Sequence, residues 1–324
     1  MSQRDIAAEI RAGNVRGLAR AISLVEQRDP SVRHLLEALQ DRLHRPRVLG
    51  FTGAPGTGKS TLVDALVKRL RERDQKVGVI AVDPNSPYSG GAILGDRIRM
   101  QRHALDAGVY IRSMGARGHL GGLSVASREA IRLLGAFGFD YVLLETVGVG
   151  QSELEVAAVA DSTVVVMTPG LGDGVQMIKA GIMEIADVFC VNKADLPGAQ
   201  KIVQEIRSML NMGPKLAWKP PIVMTVAARG EGLDELLSAV DDHRRHLEAT
   251  GEAAERTQAR LKDEAADLVG EWARQQARRI LDEHDELAER LLRDRTPYAA
   301  AEEILTEEGS ALVPKAARSE RADR

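Results

Sequence analysis

The sequence predicts an α/β fold, a mostly parallel central sheet covered by helices, with helical extensions toward both ends of the chain. Three observations carry this expectation. Short apolar segments alternate with helical stretches, which is how strands buried on both faces read. A glycine-rich segment, Gly53-Ala-Pro-Gly-Thr-Gly-Lys-Ser60, lies between one apolar run and one helical run. On either side of this central region the chain is rich in Ala, Leu, Arg and Glu at helical spacing.

Residues 1–45 form the first extension. Ile6, Ile10, Leu18, Ile22, Val25, Leu35, Leu36 and Leu39 give helical stripes interrupted at Gly13-Asn14 and Asp29-Pro30, so two or three short helices are expected. The core domain is expected over 46–248. Its first strand is Arg47 to Thr52, and Leu62, Val63, Leu66, Val67 and Leu70 mark the helix that follows the glycine-rich loop. The loop fits G-x-x-x-x-G-K-[ST], the signature of a P-loop NTPase. Gly53, Ala54, Pro55, Gly56, Thr57, Gly58, Lys59, Ser60 and Thr61 are accordingly the phosphate-binding residues. Small residues let backbone N–H groups approach phosphate, Lys59 neutralises it, the Ser60 hydroxyl ligates Mg²⁺, and the helix N-terminus favours the anion.

Further strands are expected at 76–83, 109–112, 141–145, 162–167, 187–191 and 222–226. The last part of the chain, 249–324, reads as a helical arm with a frayed tail after Val313. Leu261, Ala265, Leu268, Trp272, Ala277, Ile280, Leu287 and Leu291 recur at helical spacing without an internal Pro, predicting a long helix from about Glu255 to Leu292. Its stripe either packs on its own domain or serves self-association.

Asn192-Lys-Ala-Asp195 follows an apolar run, at a strand end where ligands of open α/β sheets bind. The Asp195 carboxylate suits the ring N–H and exocyclic amine of guanine, whereas adenine leaves it unpaired, so GTP and GDP are favoured over adenine nucleotides. Asn192, Lys193 and Asp195 are the base-side residues.

Phosphoryl transfer depends on positioning and charge neutralisation, which directs attention to acids at strand ends. Asp83, Asp96 and Glu145 each read as a helix or turn cap or as a ligand of Mg²⁺ beside Ser60; Lys59, Asp96 and Glu145 form the expected catalytic set. Glu145-Thr-Val-Gly148 stands where many GTPases carry Asp-x-x-Gly, with the Gly148 N–H available to the terminal phosphate. Residues 145–155 are therefore a candidate nucleotide-sensing switch in this reading; Gln151 within it is of a type that can orient water, though its position alone does not assign it that role. Lys179, beyond the glycine loop 169–174, reads either as a salt-bridging or as a solvated lysine.

Composition narrows the partners. A net charge of −3 and a pI near 6.2 supply no overall attraction to nucleic acid or anionic membranes. The single cysteine, Cys190, lies in an apolar run and has no partner for an internal disulfide. No apolar run approaches membrane-spanning length and Met1 to Asp5 has no apolar signal core, so a cytoplasmic protein is expected. His243 and His246 lie three apart among arginines and read as a solvated pair.

The combination of motifs resembles the MeaB/ArgK-type G-protein chaperones of adenosylcobalamin-dependent methylmalonyl-CoA mutase. The carrying segments are residues 53–61, Ala81-Val-Asp-Pro-Asn-Ser86, Gly91 to Met100, Glu145 to Ser152, Gly172 to Gly181 and Asn192 to Asp195. The resemblance implies a GTPase with Mg²⁺ near Ser60, Asp83, Asp96 and Glu145. It also implies a mobile segment around 169–179, including Asp173, Gln176 and Lys179, that communicates nucleotide state to an acyl-CoA mutase. Such a protein gates cofactor loading and protects its mutase; a homodimer is expected, with slow turnover stimulated by the partner. Where relatives often carry Ser or Thr before the base-contacting small residue, this chain reads Thr225-Val-Ala-Ala-Arg-Gly230, and the resemblance implies that the backbone near Ala227 meets guanine. Two alternatives remain: a nucleotide-dependent kinase of the kind once assigned to amino-acid transport, and a GTPase serving another metallocentre.

Overall fold

The computed structural model describes residues 3–83, 101–103, 105–115, 122–146, 152–170, 182–213 and 216–283, with a few single residues beyond. Asp96, Gly148, Gln151, Asp173, Gln176 and Lys179 lie outside the described residues.

Three helices lead the chain: α1 (Gln3–Arg11), α2 (Val15–Gln27) and α3 (Ser31–Ala38). Asn14 caps α2 by accepting from the Arg16 N–H, and Arg28 leaves the helix in the left-handed region, so the breaks fall where turn residues were read. Strands and helices then alternate. In chain order they are β1 (Arg47–Thr52), α4 (Lys59–Arg71), β2 (Val77–Asp83), β3 (Val109–Gly115), α5 (Gly122–Phe137), β4 (Tyr141–Thr146) and α6 (Ser152–Val159). They continue with β5 (Ser162–Met167), β6 (Val188–Val191), α7 (Ala199–Met212), β7 (Ile222–Met224), α8 (Leu233–Thr250) and α9 (Glu252–Glu283).

The seven strands form one sheet, every pair parallel, in the order β3-β2-β4-β1-β5-β6-β7. Side chains alternate between its faces with the period of a strand. Val48, Ile80, Val82, Val142 and Leu144 meet α1–α3, α5 and α6, while Leu49, Phe51, Val79, Leu143, Val164 and Val166 meet α4 and α8. Val165, Met167, Phe189 and Val191 pack with Ala199, Val203 and Ile206 of α7. The N-terminal helices thus complete the cover of one sheet face. β1 lies at the centre, where the chain's course reverses across the sheet, and ligands of open α/β folds bind at such a switch point.

The last strand is shorter than the sequence reading. β7 ends at Met224, and Val226 instead bridges Glu231 in a tight turn. Contacts divide the chain into Met1–Glu255 and Arg256–Arg324; in the second unit the described residues are mainly those of α9. No described helix is long and apolar enough to cross a membrane.

Candidate functional site

Residues 53–60 connect the end of β1 to the first turn of α4. Gly53 has φ 140°, and a Cβ there would stand 2.2 Å from the Val166 carbonyl oxygen, so both backbone angle and space demand glycine. The loop can therefore pass close against β5. Lys59 is buried, and its Nζ donates to the carbonyls of Gly53 at 2.6 Å and Ala54 at 3.2 Å. The Thr57 hydroxyl donates to the same Ala54 carbonyl. Pro55 and Gly56 are exposed, as is Thr61 in the first turn of α4.

Ser60 Oγ donates to Glu145 Oε1 at 2.5 Å. Register explains the meeting: Glu145 pairs with Phe51 of β1 on one side and with Ala81 of β2 on the other, so it emerges beside the phosphate loop. It is buried. Asp83 terminates β2 two residues past Ala81, at the same edge of the sheet; its side chain is outside the described residues. The serine hydroxyl and carboxylate are hard oxygen donors of the kind that suit Mg²⁺, so the described residues fit that ion.

Asn192 joins the two halves of the site. Its Nδ2 donates to the Thr57 carbonyl at 2.9 Å, while its Oδ1 accepts from Thr225 Oγ1 and from the Ala227 N–H, each at 3.1 Å. One buried amide thereby fastens the phosphate loop to the turn after β7. Lys193 adds a second clasp: its Nζ donates to the Gly56 carbonyl at 2.8 Å, and its own backbone is left-handed at φ 54°. Ala227 is buried at the head of a short helical turn, Ala227–Arg229.

Asp195 keeps about a third of its side chain accessible, at 37%. Its Oδ2 lies 3.5 Å from Arg229 Nη1, and Arg229 Nε donates to Glu231 Oε1 at 2.8 Å. Glu231, through its hydrogen bond and charge, and Asp195 at longer range raise the Arg229 pKa above its ordinary value. Sequence reading named Asn192, Lys193, Asp195 and Ala227, which the structure brings together, but not the two clasps, nor the part of Thr225 and Arg229. Only the departure noted at 225–230 pointed toward that turn.

The solvated reading of the histidine pair is incorrect. His243 is fully buried, its Nδ1 2.8 Å from Ser162 Oγ and its Nε2 3.1 Å from Asp187 Oδ1. Trp218 packs against both His243 and His246 with ring centroids 5.2 Å apart, and its indole N–H donates to the Asp187 carbonyl. The cluster sits at the opposite strand ends from the phosphate loop, where Ser162 opens β5 and Asp187 immediately precedes β6.

Comparison with known proteins gives a consistent family. Residues 18–280 match the family model described as Methylmalonyl Co-A mutase-associated GTPase MeaB. A protein of Pyrococcus horikoshii described as a putative GTPase is 43% identical over 306 residues, covering 93% of this chain and 96% of that one. The mitochondrial methylmalonic aciduria type A homolog of Mus musculus is 37% identical, covering 76% of this chain and 64% of that protein. Among solved structures, one described as LAO/AO transport system kinase superposes with a TM-score of 0.68 at 28% identity, covering 93% of this chain and 95% of that one.

Proposed function

Because the chain belongs to the MeaB family of mutase-associated GTPases and is itself a P-loop GTPase, we propose that it couples GTP hydrolysis to cofactor loading and protection of an adenosylcobalamin-dependent acyl-CoA mutase. Methylmalonyl-CoA mutase is the leading partner. The observation that supports the guanine-nucleotide part is the partly exposed Asp195 carboxylate beside the base-side turn, which the Asn192 clasp ties to the phosphate loop.

In this reading Lys59 leaves its two loop carbonyls to neutralise the terminal phosphates, and backbone N–H groups of 53–61 hold them in line. Ser60, with Glu145 behind it and Asp83 and Asp96 nearby in sequence-based expectation, would hold Mg²⁺, which supplies charge neutralisation at the phosphates. Asp195 reads the base, and the backbone at Ala227 closes its edge. Gly148 and Gln151, with Asp173, Gln176 and Lys179, belong to the segments assigned to nucleotide sensing. Residues 46–248 are the catalytic domain, flanked by helical extensions at 1–45 and 249–324. Self-association through the second extension is supported by the exposure of Leu261 and Val269 on α9. Slow intrinsic turnover completed by a partner belongs to the same reading, with Arg97 and Arg99, outside the described residues, as candidate transition-state arginines. A cytoplasmic setting follows from the same reading.

The test is phosphate release from GTP and from ATP, with and without a purified adenosylcobalamin-dependent acyl-CoA mutase. A GTP-specific rate raised by the mutase is expected. Lys59→Ala should lower it by about 100-fold or more. GTP turnover indifferent to the mutase would overturn the partner assignment. The kinship with a structure described as a transport-system kinase favours a second reading, phosphotransfer; phosphate appearing on an acceptor protein instead of free in solution would establish it.

A further inference from the structure

Arg229 lies two residues past Ala227 in the base-side turn, and its guanidinium is arranged around Asp195, the residue that reads the base in this reading. Nε and Nη2 face Glu231 Oε1 and Oε2 at 2.8 and 3.4 Å, so two donors of the fork engage one carboxylate. The remaining terminal nitrogen, Nη1, stands 3.5 Å from Asp195 Oδ2. The turn that carries these residues is itself constrained. Val226 and Glu231 exchange backbone hydrogen bonds, Gly230 and Gly232 both take positive φ, and the Ala227 N–H is held by Asn192. Gly232 has no alternative, since a Cβ there would stand 2.2 Å from the Met224 carbonyl.

We propose that Arg229 is a positioning residue of the base pocket: anchored by Glu231, it fixes the angle at which the Asp195 carboxylate meets guanine. This rests on the guanine-nucleotide reading above. A partly exposed aspartate is free to rotate, and rotation matters unequally for different purines. Guanine offers a ring N–H and an exocyclic amine, so both carboxylate oxygens must be placed at once. Hypoxanthine offers the ring N–H alone and tolerates a wider range of angles. Arg229 therefore acts on the guanine-over-hypoxanthine ratio, and the fork is needed because a lysine ammonium lacks the fixed planar geometry to serve both carboxylates. The phosphates, bound at the other end of the pocket, are indifferent to it.

The experiment measures dissociation constants for GDP, IDP and ADP on the full chain, for the wild type, R229A, R229K, D195N and the double variant R229A/D195N, with thermal midpoints alongside. Arg229 is exposed over half its side chain, at 54%, so R229A should fold normally. The wild type is expected to prefer GDP over IDP, and R229A to narrow that ratio by about threefold, the scale of an exposed ion pair. R229K should restore little of it, and in the D195N background R229A should change nothing further. An unchanged ratio in R229A, beside a wild type that prefers GDP to ADP, would overturn the positioning role alone. Equal weakening of GDP and IDP with a lowered thermal midpoint would overturn it in favour of a structural role. Equal affinity of the wild type for GDP and ADP would overturn the guanine reading itself, and this role with it.

Discussion

Asn192 shows how one side chain can hold a site together. Its amide oxygen accepts two hydrogen bonds and its nitrogen donates a third, all buried, so each partner left behind on truncation is deprived of water as well. Asn192→Ala should destabilise the protein by about 2–4 kcal/mol in urea unfolding and weaken GDP binding together. A normal unfolding midpoint would show the clasp to be dispensable for folding. Next to it, the Cys190 Sγ lies 3.2 Å from the Thr225 hydroxyl, whose proton is committed to Asn192. Burial pushes the thiol pKa up to about 12, against the smaller opposing pull of the Thr225 contact. Cys190 should therefore resist a thiol reagent at pH 8 in the folded protein and react once unfolded. The same shift has a stability consequence. Its contribution is complete below the unfolded thiol pKa, near 9, and is lost as pH rises through the folded value near 12.

At the scale of elements, the phosphate loop is placed by how closely β1 approaches α6. A Cβ at Gly50 would stand 2.6 Å from Val156 Cγ1 and 2.9 Å from the Ala160 Cβ. Gly50→Ala should destabilise the fold by about 1–3 kcal/mol through overpacking, read as a shift in urea midpoint. Because β1 runs directly into residues 53–60, nucleotide affinity should fall in the same variant; retained affinity would indicate that the strand accommodates the methyl without moving the loop. α8 illustrates the opposite limit of sequence reading. Its charged neighbours made His243 look solvated, but this face of the helix lies on β5, β6 and β7, where Ser162 and Asp187 meet the ring. Charge density along a helix does not reveal which position faces a sheet edge that carries its own polar groups.

For the whole molecule, contacts within Met1–Glu255 include all seven strands and their covering helices, so this unit has a complete core of its own. A chain ending at Glu255 should unfold cooperatively and bind GDP like the full protein. If α9 serves self-association, light scattering should find the full chain dimeric and the shortened chain monomeric. Leu261→Glu with Val269→Glu in the full chain should give the same monomer without loss of GDP binding; a dimer surviving both changes would exclude this face.

The sequence by itself determined the features written into neighbouring residues: the apolar runs that become parallel strands, the leading helices and their breaks, the glycine-rich loop between β1 and α4, and the segment Asn192 to Asp195 at the end of β6. Each is a local pattern, because strand alternation, helical spacing and the conformational needs of glycine act over a few residues. Only the tertiary structure decided that Glu145 meets Ser60, that Asn192 grips both the loop at Thr57 and the turn at Ala227, that Arg229 reaches Asp195, and that His243 is buried. Those contacts join segments brought together by strand order and register, and most of the pairs stand far apart in the chain. Strand order is settled by the packing of two sheet faces against their helices, and no short stretch of sequence encodes it.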